Sequence, residues 1–138
     1  MSAFETSRIL RFGQCDPSGI AYFPAYLDML VGVTEDLFAA IGWPWPKLRS
    51  ERAITTPTVS LDVTFSRPGM EGDRLSFRCA VSRIGTTSLD LSHTVSAQRE
   101  LWRAGQRLVA TSPQTHRPVP WPDDIRTGLS QFQESDDA

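Results

Sequence analysis

The sequence predicts an α+β fold in which one long helix packs against an antiparallel sheet. Two observations lead to this prediction: apolar residues recur at helical spacing after Pro24, and period-two alternations dominate the chain from Thr58 onward. One helix that covers a curved sheet would bury the apolar faces of both. With 138 residues, 40% of them hydrophobic and 22% charged, the chain fits one folded domain. We therefore expect a single α+β domain over residues 1–138.

The charge and the apolar runs limit the partners of the protein. Fourteen basic and sixteen acidic residues give a net charge of −2, and the scattered basic residues do not predict a nucleic-acid partner. The N-terminal residues lack the basic start and apolar stretch of a signal peptide. No apolar run reaches membrane-spanning length. We expect a cytoplasmic protein without a membrane partner.

The cysteines and histidines do not indicate a metal site. Cys15 and Cys79 lack CxxC spacing, and a cytoplasmic thiol stays reduced, so no disulfide is expected. His93 lies on the face of its predicted strand that also carries the apolar residues, so we expect a structural histidine with a hydrogen-bond partner. His116 lies in no recognisable motif. We expect neither a metal ion nor a cofactor.

The first half of the chain should contain a strand, a shaped loop and a long helix. Residues 6–12 mix apolar and polar positions, which suits a strand, and turn-forming residues gather at 15–19. The helix should begin at Pro24, and Gly42 should end it and open a loop through Pro46. The apolar residues at steps of three and four are Tyr26, Leu30, Val33, Leu37, Phe38 and Ile41.

The second half should form an antiparallel meander of four strands. The alternating segments are 58–65, 75–81, 89–97 and the neighbourhood of Leu108 and Ala110. A turn at Ala104-Gly105 should precede the last strand, and Pro118 and Pro120 should follow it. Asp123 should cap a short amphipathic helix, after which the acidic tail should fray.

The loop before the helix carries the most specific motif in the chain. Residues 11–26 read RFGQCDPSGIAYFPAY, with an acidic residue, a turn and aromatic residues before a helix-starting proline. This segment resembles the active-site motif of the 4-hydroxybenzoyl-CoA thioesterase family, within the hotdog-fold superfamily. The element order agrees with that family from Thr6 to about Pro118. The resemblance implies a hotdog fold, in which an antiparallel sheet of about five strands wraps a long central helix.

The resemblance also implies an acyl-CoA thioesterase. The family's catalytic aspartate falls on Asp16, and the backbone N–H that polarises the thioester carbonyl falls on Phe23. The chemistry supports this assignment independently, because a helix N-terminus offers free N–H groups to the negative charge that develops on an attacked carbonyl. Asp16 would either attack the carbonyl or activate a water molecule, and the residues leave both routes open.

Further residues are predicted to contact the substrate. The family places a tryptophan against the acyl group, which here is Trp45, and Tyr22 precedes Phe23 in the motif. Thr58 and Ser60 are predicted to supply hydroxyls, although on an alternating strand both also fit a solvent-facing position. Arg83 is the remaining contact expected for the phosphates of coenzyme A, where the 4-hydroxybenzoyl enzyme carries a basic cluster.

The resemblance also bears on the acyl group and on the assembly. The aromatic residues of the motif favour an aryl group, and Val31 stands where the 4-hydroxybenzoyl enzyme carries an acid, so a benzoyl or a differently substituted aryl group fits as well. An aliphatic acyl-CoA thioesterase and a non-catalytic acyl-CoA binding protein are the alternatives. The family joins two sheets edge to edge with the thioester at the interface, so we expect a homodimer, assembled into a homotetramer.

Overall fold

The computed structural model describes residues 2–134 and confirms the α+β prediction. Its elements are β1 (Phe4–Ile9), a 3-10 turn (Phe12–Gln14), α1 (Phe23–Ala40), α2 (Trp45–Arg52), β2 (Thr58–Phe65), β3 (Arg74–Ile84), β4 (Ser88–Ala97), β5 (Arg99–Val109) and α3 (Asp123–Ser130). The strands form one antiparallel sheet in the order β1-β3-β4-β5-β2. The tail that is expected to fray, residues 135–138, lies outside the described residues.

Helix α1 forms one side of the hydrophobic core, as its apolar spacing predicts. Its buried residues are Tyr26, Met29, Leu30, Val33, Thr34, Leu37 and Phe38. The sheet supplies the other side, where Phe77, Leu91 and Trp102 are at most 2% exposed. Each such aliphatic or aromatic side chain stabilises the fold by about 1.5–3 kcal/mol relative to leaving it in water. The packing of α1 on the sheet therefore holds the two ends of α1 in fixed positions.

The chain after α1 differs from the predicted loop. Gly42 ends α1 as expected, with a φ of +88° that glycine adopts without strain. Residues from Trp45 onward form α2, with Pro46 in the first turn, where its missing N–H is not needed. Leu48 is the buried residue of this helix. The loop prediction is wrong from Trp45 because one buried apolar position leaves no periodicity to detect.

The turn predicted at Ala104-Gly105 is also wrong. Gly105 lies inside β5, where it pairs with Ser92 on one side and Asp62 on the other. The chain reverses instead at Gln98, whose φ is +67°. Strand β5 stays extended through Gly105 because it is hydrogen-bonded to a neighbouring strand on each side. A glycine inside a strand gives the same sequence signal as a turn glycine.

Strand β2 forms over the predicted residues but does not have the predicted neighbours. It pairs with β5 at the edge of the sheet, whereas a simple meander would place it beside β3. Leu61 is 40% exposed and Phe65 is 46% exposed. The predicted burial of one face is wrong for the single chain, because no packed element of the described chain covers either face of β2 and only Val63 is half-buried.

Two element boundaries need correction. Strand β1 ends at Ile9, and Phe12 lies in the 3-10 turn with 81% of its surface exposed, so the predicted strand over 6–12 is shifted. Helix α3 forms as expected, but Pro122 occupies its N-cap position and no side chain caps it. Asp123 is the first residue of this helix and does not act as its cap.

The structure also bears on the predictions about disulfide bonds and about membrane spans. Cys15 and Cys79 are both free thiols, in agreement with the prediction of no disulfide. Within residues 2–134, no helix has the length and apolar character needed to span a bilayer. The cytoplasmic location stays a prediction.

Candidate active site

The loop that contains Asp16 folds back on itself immediately before α1. The N–H of Asp16 donates to the Ile20 carbonyl at 2.9 Å, and the N–H of Gly19 donates back to the Asp16 carbonyl at 3.0 Å. Gly19 has a φ of +83°, which closes this turn without strain. The N–H of Tyr22 donates to the Gln14 carbonyl at 2.8 Å. The loop therefore holds Asp16 on one arm and the first residue of α1 at the end of the other.

This loop is anchored to the connection between β2 and β3. The N–H of Ala21 donates to the Gly69 carbonyl at 2.9 Å, and the N–H of Glu71 donates to the Gly19 carbonyl at 3.1 Å. Ile20 and Met70 form an antiparallel bridge between these two bonds. Backbone pairing on both arms thus fixes the position of the motif against the sheet.

Asp16 is an exposed carboxylate that is stabilised in its ionised form. Its Oδ1 accepts hydrogen bonds from the Ser18 hydroxyl and, at 2.8 Å, from the Ser18 N–H. These bonds, the hydroxyl first, hold the pKa of Asp16 below its ordinary value. The group is therefore charged at neutral pH.

The first residue of α1 offers a free backbone donor. Pro24 has no N–H, and the N–H of Ala25 donates to the Tyr22 carbonyl at 2.8 Å. Within residues 2–134, the N–H of Phe23 has no acceptor. It lies at the positive end of the dipole of an 18-residue helix. This donor has the character that a developing oxyanion needs.

A cavity of about 330 Å³ lies beside this donor and has aromatic walls. Phe23 and Phe65 both line it, with their ring centroids 6.2 Å apart. Tyr26 forms a further wall, its ring stacked on Phe65 at 6.1 Å. Burial raises the pKa of Tyr26. The cavity has the aromatic walls that suit a flat apolar group, and Asp16 is not among the residues that line it.

Of the residues that line this cavity, Phe23 alone was predicted as a site residue, and Phe65 and Gly69 lie far from it in the sequence. Phe65 ends β2 and Gly69 follows it, more than forty positions after Phe23 in the sequence. Neither residue is part of a local motif. The sheet order brings them to the start of α1, and no pattern in the sequence contains that information.

Tyr22 and Trp45 take different places relative to this cavity. Tyr22 is 57% exposed and lies against Phe23, with ring centroids 6.3 Å apart. Trp45 lies beyond the other end of α1, which spans about 27 Å with its 18 residues. There it packs on Phe38 and lines a separate cavity of about 270 Å³ with Glu35. Within one chain, Trp45 and Phe23 therefore do not meet.

Thr58 and Ser60 lie on opposite faces of β2. Thr58 pairs with the buried Leu108 on the helix side, and its hydroxyl accepts a hydrogen bond from Gln106 Nε2 at 3.0 Å. A bulge follows, so Ser60 pairs with the exposed Arg107 on the outer side. The structure does not bring these two hydroxyls together.

Arg83 is remote from the Asp16 loop. It lies near the far end of β3, about 30 Å along the strand from Arg74. It faces Asp90, whose carboxylate accepts hydrogen bonds from Arg107 at 2.7 and 3.0 Å. Arg107 and, to a lesser extent, Arg83 hold the pKa of Asp90 below its ordinary value.

His93 is a structural histidine, as predicted. It is 1% exposed, and its Nε2 lies 2.8 Å from Gln106 Oε1. The same amide oxygen accepts a hydrogen bond from the Thr34 hydroxyl at 3.0 Å. Burial lowers the pKa of His93, which keeps it neutral. Because its partner is an amide and not a carboxylate, His93 lacks the acid partner of a catalytic histidine.

Comparison with known proteins identifies the family. The model of the thioesterase-like superfamily matches residues 10–129. The 1,4-dihydroxy-2-naphthoyl-CoA hydrolase of Synechococcus elongatus is 24% identical over 131 residues, which cover 94% of this chain and 96% of that protein. A 4-hydroxybenzoyl-CoA thioesterase from a Pseudomonas species is 33% identical over 89 residues, 63% of each chain.

Solved structures share the fold. A 4-hydroxybenzoyl-CoA thioesterase variant complexed with 4-hydroxybenzoyl-CoA superposes with a TM-score of 0.88 at 24% identity, covering 94% of this chain and all of that one (100%). The 1,4-dihydroxy-2-naphthoyl-CoA thioesterase from Synechocystis superposes with a TM-score of 0.86 at 19% identity, covering 97% and 100% of the two chains. The chain therefore belongs to the thioesterase-like superfamily and has the hotdog fold that its motif predicts.

Proposed function

We propose that this thioesterase hydrolyses an aromatic acyl-CoA thioester, of benzoyl or hydroxybenzoyl type, to the free acid and coenzyme A. One observation carries the proposal. A single loop presents an ionised Asp16 on one arm and the free N–H of Phe23 at the end of the other arm. Thioester hydrolysis requires a group that attacks, or activates water, and a donor that stabilises the oxyanion. The loop supplies both.

In the proposed reaction, the Asp16 carboxylate attacks the thioester carbonyl. The carbonyl oxygen takes up the negative charge and accepts a hydrogen bond from the N–H of Phe23, which the α1 dipole strengthens. The carbon–sulfur bond then breaks, the coenzyme A thiolate leaves, and a mixed anhydride joins the acyl group to Asp16. Water cleaves the anhydride, releases the acid and restores the carboxylate.

The general-base route differs in its first step. There, Asp16 would take a proton from a water molecule that attacks the carbonyl. A general base works best when its pKa lies near the working pH, and the Ser18 hydrogen bonds lower the pKa of Asp16. A lowered pKa weakens a carboxylate both as a base and as a nucleophile, so it does not decide between the routes. Rapid quenching during a single turnover distinguishes the routes, since only the nucleophilic route forms an acyl-enzyme.

The aromatic walls of the Phe23 cavity support an aryl substrate. Phe23, Tyr26 and Phe65 offer ring faces and edges to a planar group. The names of the relatives point the same way, because those proteins are named for naphthoyl-CoA and hydroxybenzoyl-CoA substrates. An aliphatic chain would gain no ring stacking from these walls.

We propose that a second copy of the chain completes the site. Strand β2 has a free edge with an exposed apolar row that includes Val59, Leu61 and Phe65. Two-fold antiparallel pairing of these edges covers the row and brings the Trp45 end of one α1 toward the Asp16 end of the other. The homodimer would then have two sites, and a homotetramer of such dimers belongs to the same proposal. The proposed reaction takes water and the thioester alone, without a metal ion or cofactor.

The decisive experiment compares wild type with Asp16→Asn. The amide has nearly the size of the carboxylate but neither attacks a carbonyl nor takes a proton from water. Single-turnover hydrolysis of benzoyl-CoA and 4-hydroxybenzoyl-CoA should slow by at least about a hundredfold, while the dissociation constants change little. The matched control is Asp123→Asn, an exposed aspartate on the remote α3.

Each of four outcomes would contradict a part of the proposal. Near wild-type turnover by Asp16→Asn would make Asp16 a turn residue. Faster hydrolysis of hexanoyl-CoA than of both aryl substrates would move the function to the aliphatic class. Binding of acyl-CoA without any turnover by the wild type would favour the non-catalytic alternative. Loss of activity with a chelator, restored by added metal, would contradict the proposal that the reaction needs no metal ion.

A further inference from the structure

Four polar side chains form a hydrogen-bonded network that runs from the apolar core to the edge of the sheet. They come from four different elements: Thr34 of α1, His93 of β4, Gln106 of β5 and Thr58 of β2. The first three are at most 4% exposed, whereas Thr58 is exposed. Polar groups in a core are costly unless each is paired, so we ask what this Gln106 network does at its exposed end.

The surroundings of His93 determine which ring nitrogen carries the proton. Within residues 2–134, the buried Nδ1 has no hydrogen-bond partner, whereas Nε2 lies 2.8 Å from Gln106 Oε1. A neutral imidazole carries one proton, and a buried N–H without an acceptor is rare in folded proteins. We therefore assign the proton to Nε2, which donates to the amide oxygen of Gln106.

This donor holds the amide of Gln106 in one orientation. Its Oε1 also accepts a hydrogen bond from the Thr34 hydroxyl at 3.0 Å. Its Nε2 donates to the hydroxyl oxygen of Thr58 at 3.0 Å. Turning the amide over would point an N–H of Gln106 at the N–H of His93. The order of donors and acceptors is thus set inside the core and passed outward to Thr58.

The hydroxyl of Thr58 is left with a free donor. Because its oxygen accepts from Gln106, its O–H must point to another group. In the part of the chain that the structure describes, this O–H has no acceptor. Thr58 is the first residue of β2, at the exposed edge of the sheet. The edge therefore carries a hydrogen-bond donor whose direction is fixed before any ligand binds.

The bulge at the start of β2 decides which face this donor lies on. Thr58 pairs with Leu108 and Phe65 pairs with Trp102, and both of these β5 residues are buried on the helix side. Without the bulge, the period of two would place Thr58 on the outer face with Ser60. Thr58 and Phe65 thus share a face, about 23 Å apart along the strand.

The proposed homodimer closes this distance. Antiparallel pairing of two identical edges requires a two-fold axis perpendicular to the sheet, which keeps the helix faces of both copies on one side. The first residue of one β2 then lies beside the last residue of the other. In that dimer, Thr58 of one copy faces the Phe23 cavity of the second copy, which Phe65 lines.

We infer that Thr58 donates a hydrogen bond to the substrate held in the second copy, and that Gln106 and His93 are positioning residues for its hydroxyl. The inference rests on the proposed function and its homodimer. The acceptor is an oxygen close to the thioester, either on the acyl group or on the pantetheine arm. A hydroxyl that is oriented in advance loses little freedom when the substrate binds, which explains why a polar network is kept in the core.

A double-mutant cycle tests whether Gln106 acts through Thr58. Thr58→Val keeps the shape of the side chain and removes the hydroxyl, so kcat/KM for 4-hydroxybenzoyl-CoA should fall about fivefold to tenfold, the scale of one hydrogen bond. Gln106→Met should lower it about threefold, because the hydroxyl remains but is no longer oriented. The double variant should match Thr58→Val alone, since no hydroxyl is left to position. Thr58→Ser should retain most of the activity.

A merely structural role of Gln106 would give a different result. Its loss would then change kcat/KM by the same factor with and without the Thr58 hydroxyl. Urea unfolding shows whether each variant is folded under the assay conditions. The matched control is Thr64→Val, the same substitution at an exposed residue of β2 that pairs with Arg103 on the outer face, and it should leave kcat/KM unchanged.

A measurement on the wild type tests the network even where Gln106→Met does not fold. Nitrogen-15 NMR of the histidine rings should show the proton of His93 on Nε2, and His116→Gln assigns the signals, because these are the two histidines of the chain. A proton on Nδ1 would reverse the order of donors and overturn the positioning role.

The outcomes separate this inference from the proposed function. An unchanged kcat/KM for Thr58→Val, or a monomeric wild type that hydrolyses the substrate, would overturn the inference and leave the thioesterase reaction standing. A loss with 4-hydroxybenzoyl-CoA but not with benzoyl-CoA supports an acceptor on the ring, and an equal loss with both supports one on the thioester or the pantetheine arm. Should the wild type hydrolyse no thioester, the proposed function fails, and calorimetric titration of wild type and Thr58→Val with benzoyl-CoA and 4-hydroxybenzoyl-CoA decides the inference.

Discussion

Gly69→Ala should destabilise the protein through one identifiable atom. A Cβ at position 69 would overlap the hydroxyl oxygen of Tyr26, and would lie 3.4 Å from a methyl carbon of Leu10 and of Leu101. The two methyl contacts are ordinary, whereas the hydroxyl contact is far inside the contact distance. Gly69 is absent from the positive-φ glycines, so the cost of the substitution is steric.

The size of the effect follows from how firmly Tyr26 is held. Its ring lies 5.1 Å from the Trp102 ring and 6.1 Å from the Phe65 ring, and 3% of the residue is exposed. The ring cannot move away without disturbing this cluster. We expect Gly69→Ala to lower the free energy of unfolding by about 2–3 kcal/mol, the upper range for adding a methyl group to a packed core.

A double-mutant cycle isolates the responsible contact. Tyr26→Phe removes the hydroxyl, so adding Gly69→Ala in that background should cost less than about 1 kcal/mol. Urea denaturation monitored by tryptophan fluorescence measures the four free energies, with equal m-values as the check of two-state behaviour. Equal costs in the two backgrounds would refute the reasoning. In the wild-type background, Gly69→Ala should also lower activity, because the Gly69 carbonyl anchors the Asp16 loop through Ala21.

The remaining predictions concern pH and assembly. Ser18→Ala removes the larger cause of the lowered pKa of Asp16, so the fall of kcat/KM on the acid side should begin at higher pH than in wild type. If the pH profile does not move, Asp16 is not the group whose titration limits kcat/KM at low pH. Burial lowers the pKa of His93, so the unfolded state takes up a proton at higher pH than the folded state does. Stability should therefore fall as pH drops below the ordinary histidine pKa, by up to about 1.4 kcal/mol per pH unit, and His93→Gln should abolish this slope in urea titrations. Leu61→Glu places a charge in the exposed apolar row of β2, so light scattering should show weaker dimerisation than in wild type. A wild type that is monomeric would contradict the proposed pairing of β2 edges.

The sequence by itself determined the elements whose signal is local. The steps of three and four in α1 predict the buried face that the structure shows, because a helix that packs on a core must keep one stripe apolar. The motif around Asp16 identifies the family before any contact is known, since a tight turn and a helix start require particular residues at fixed spacing. The parity of β2 is readable from Ser60 onward, whereas the bulge between Thr58 and Ser60 puts these two residues on opposite faces.

Only the tertiary structure decided which elements are neighbours. Strand β2 lies beside β5, and the alternation that the sequence shows is the same for any partner strand. That pairing brings Phe65 and Gly69 to the start of α1. Periodicity in the sequence indicates which side chains are buried. Which residue lies next to each of them depends on strand order and register, and residues far apart in the chain determine these together.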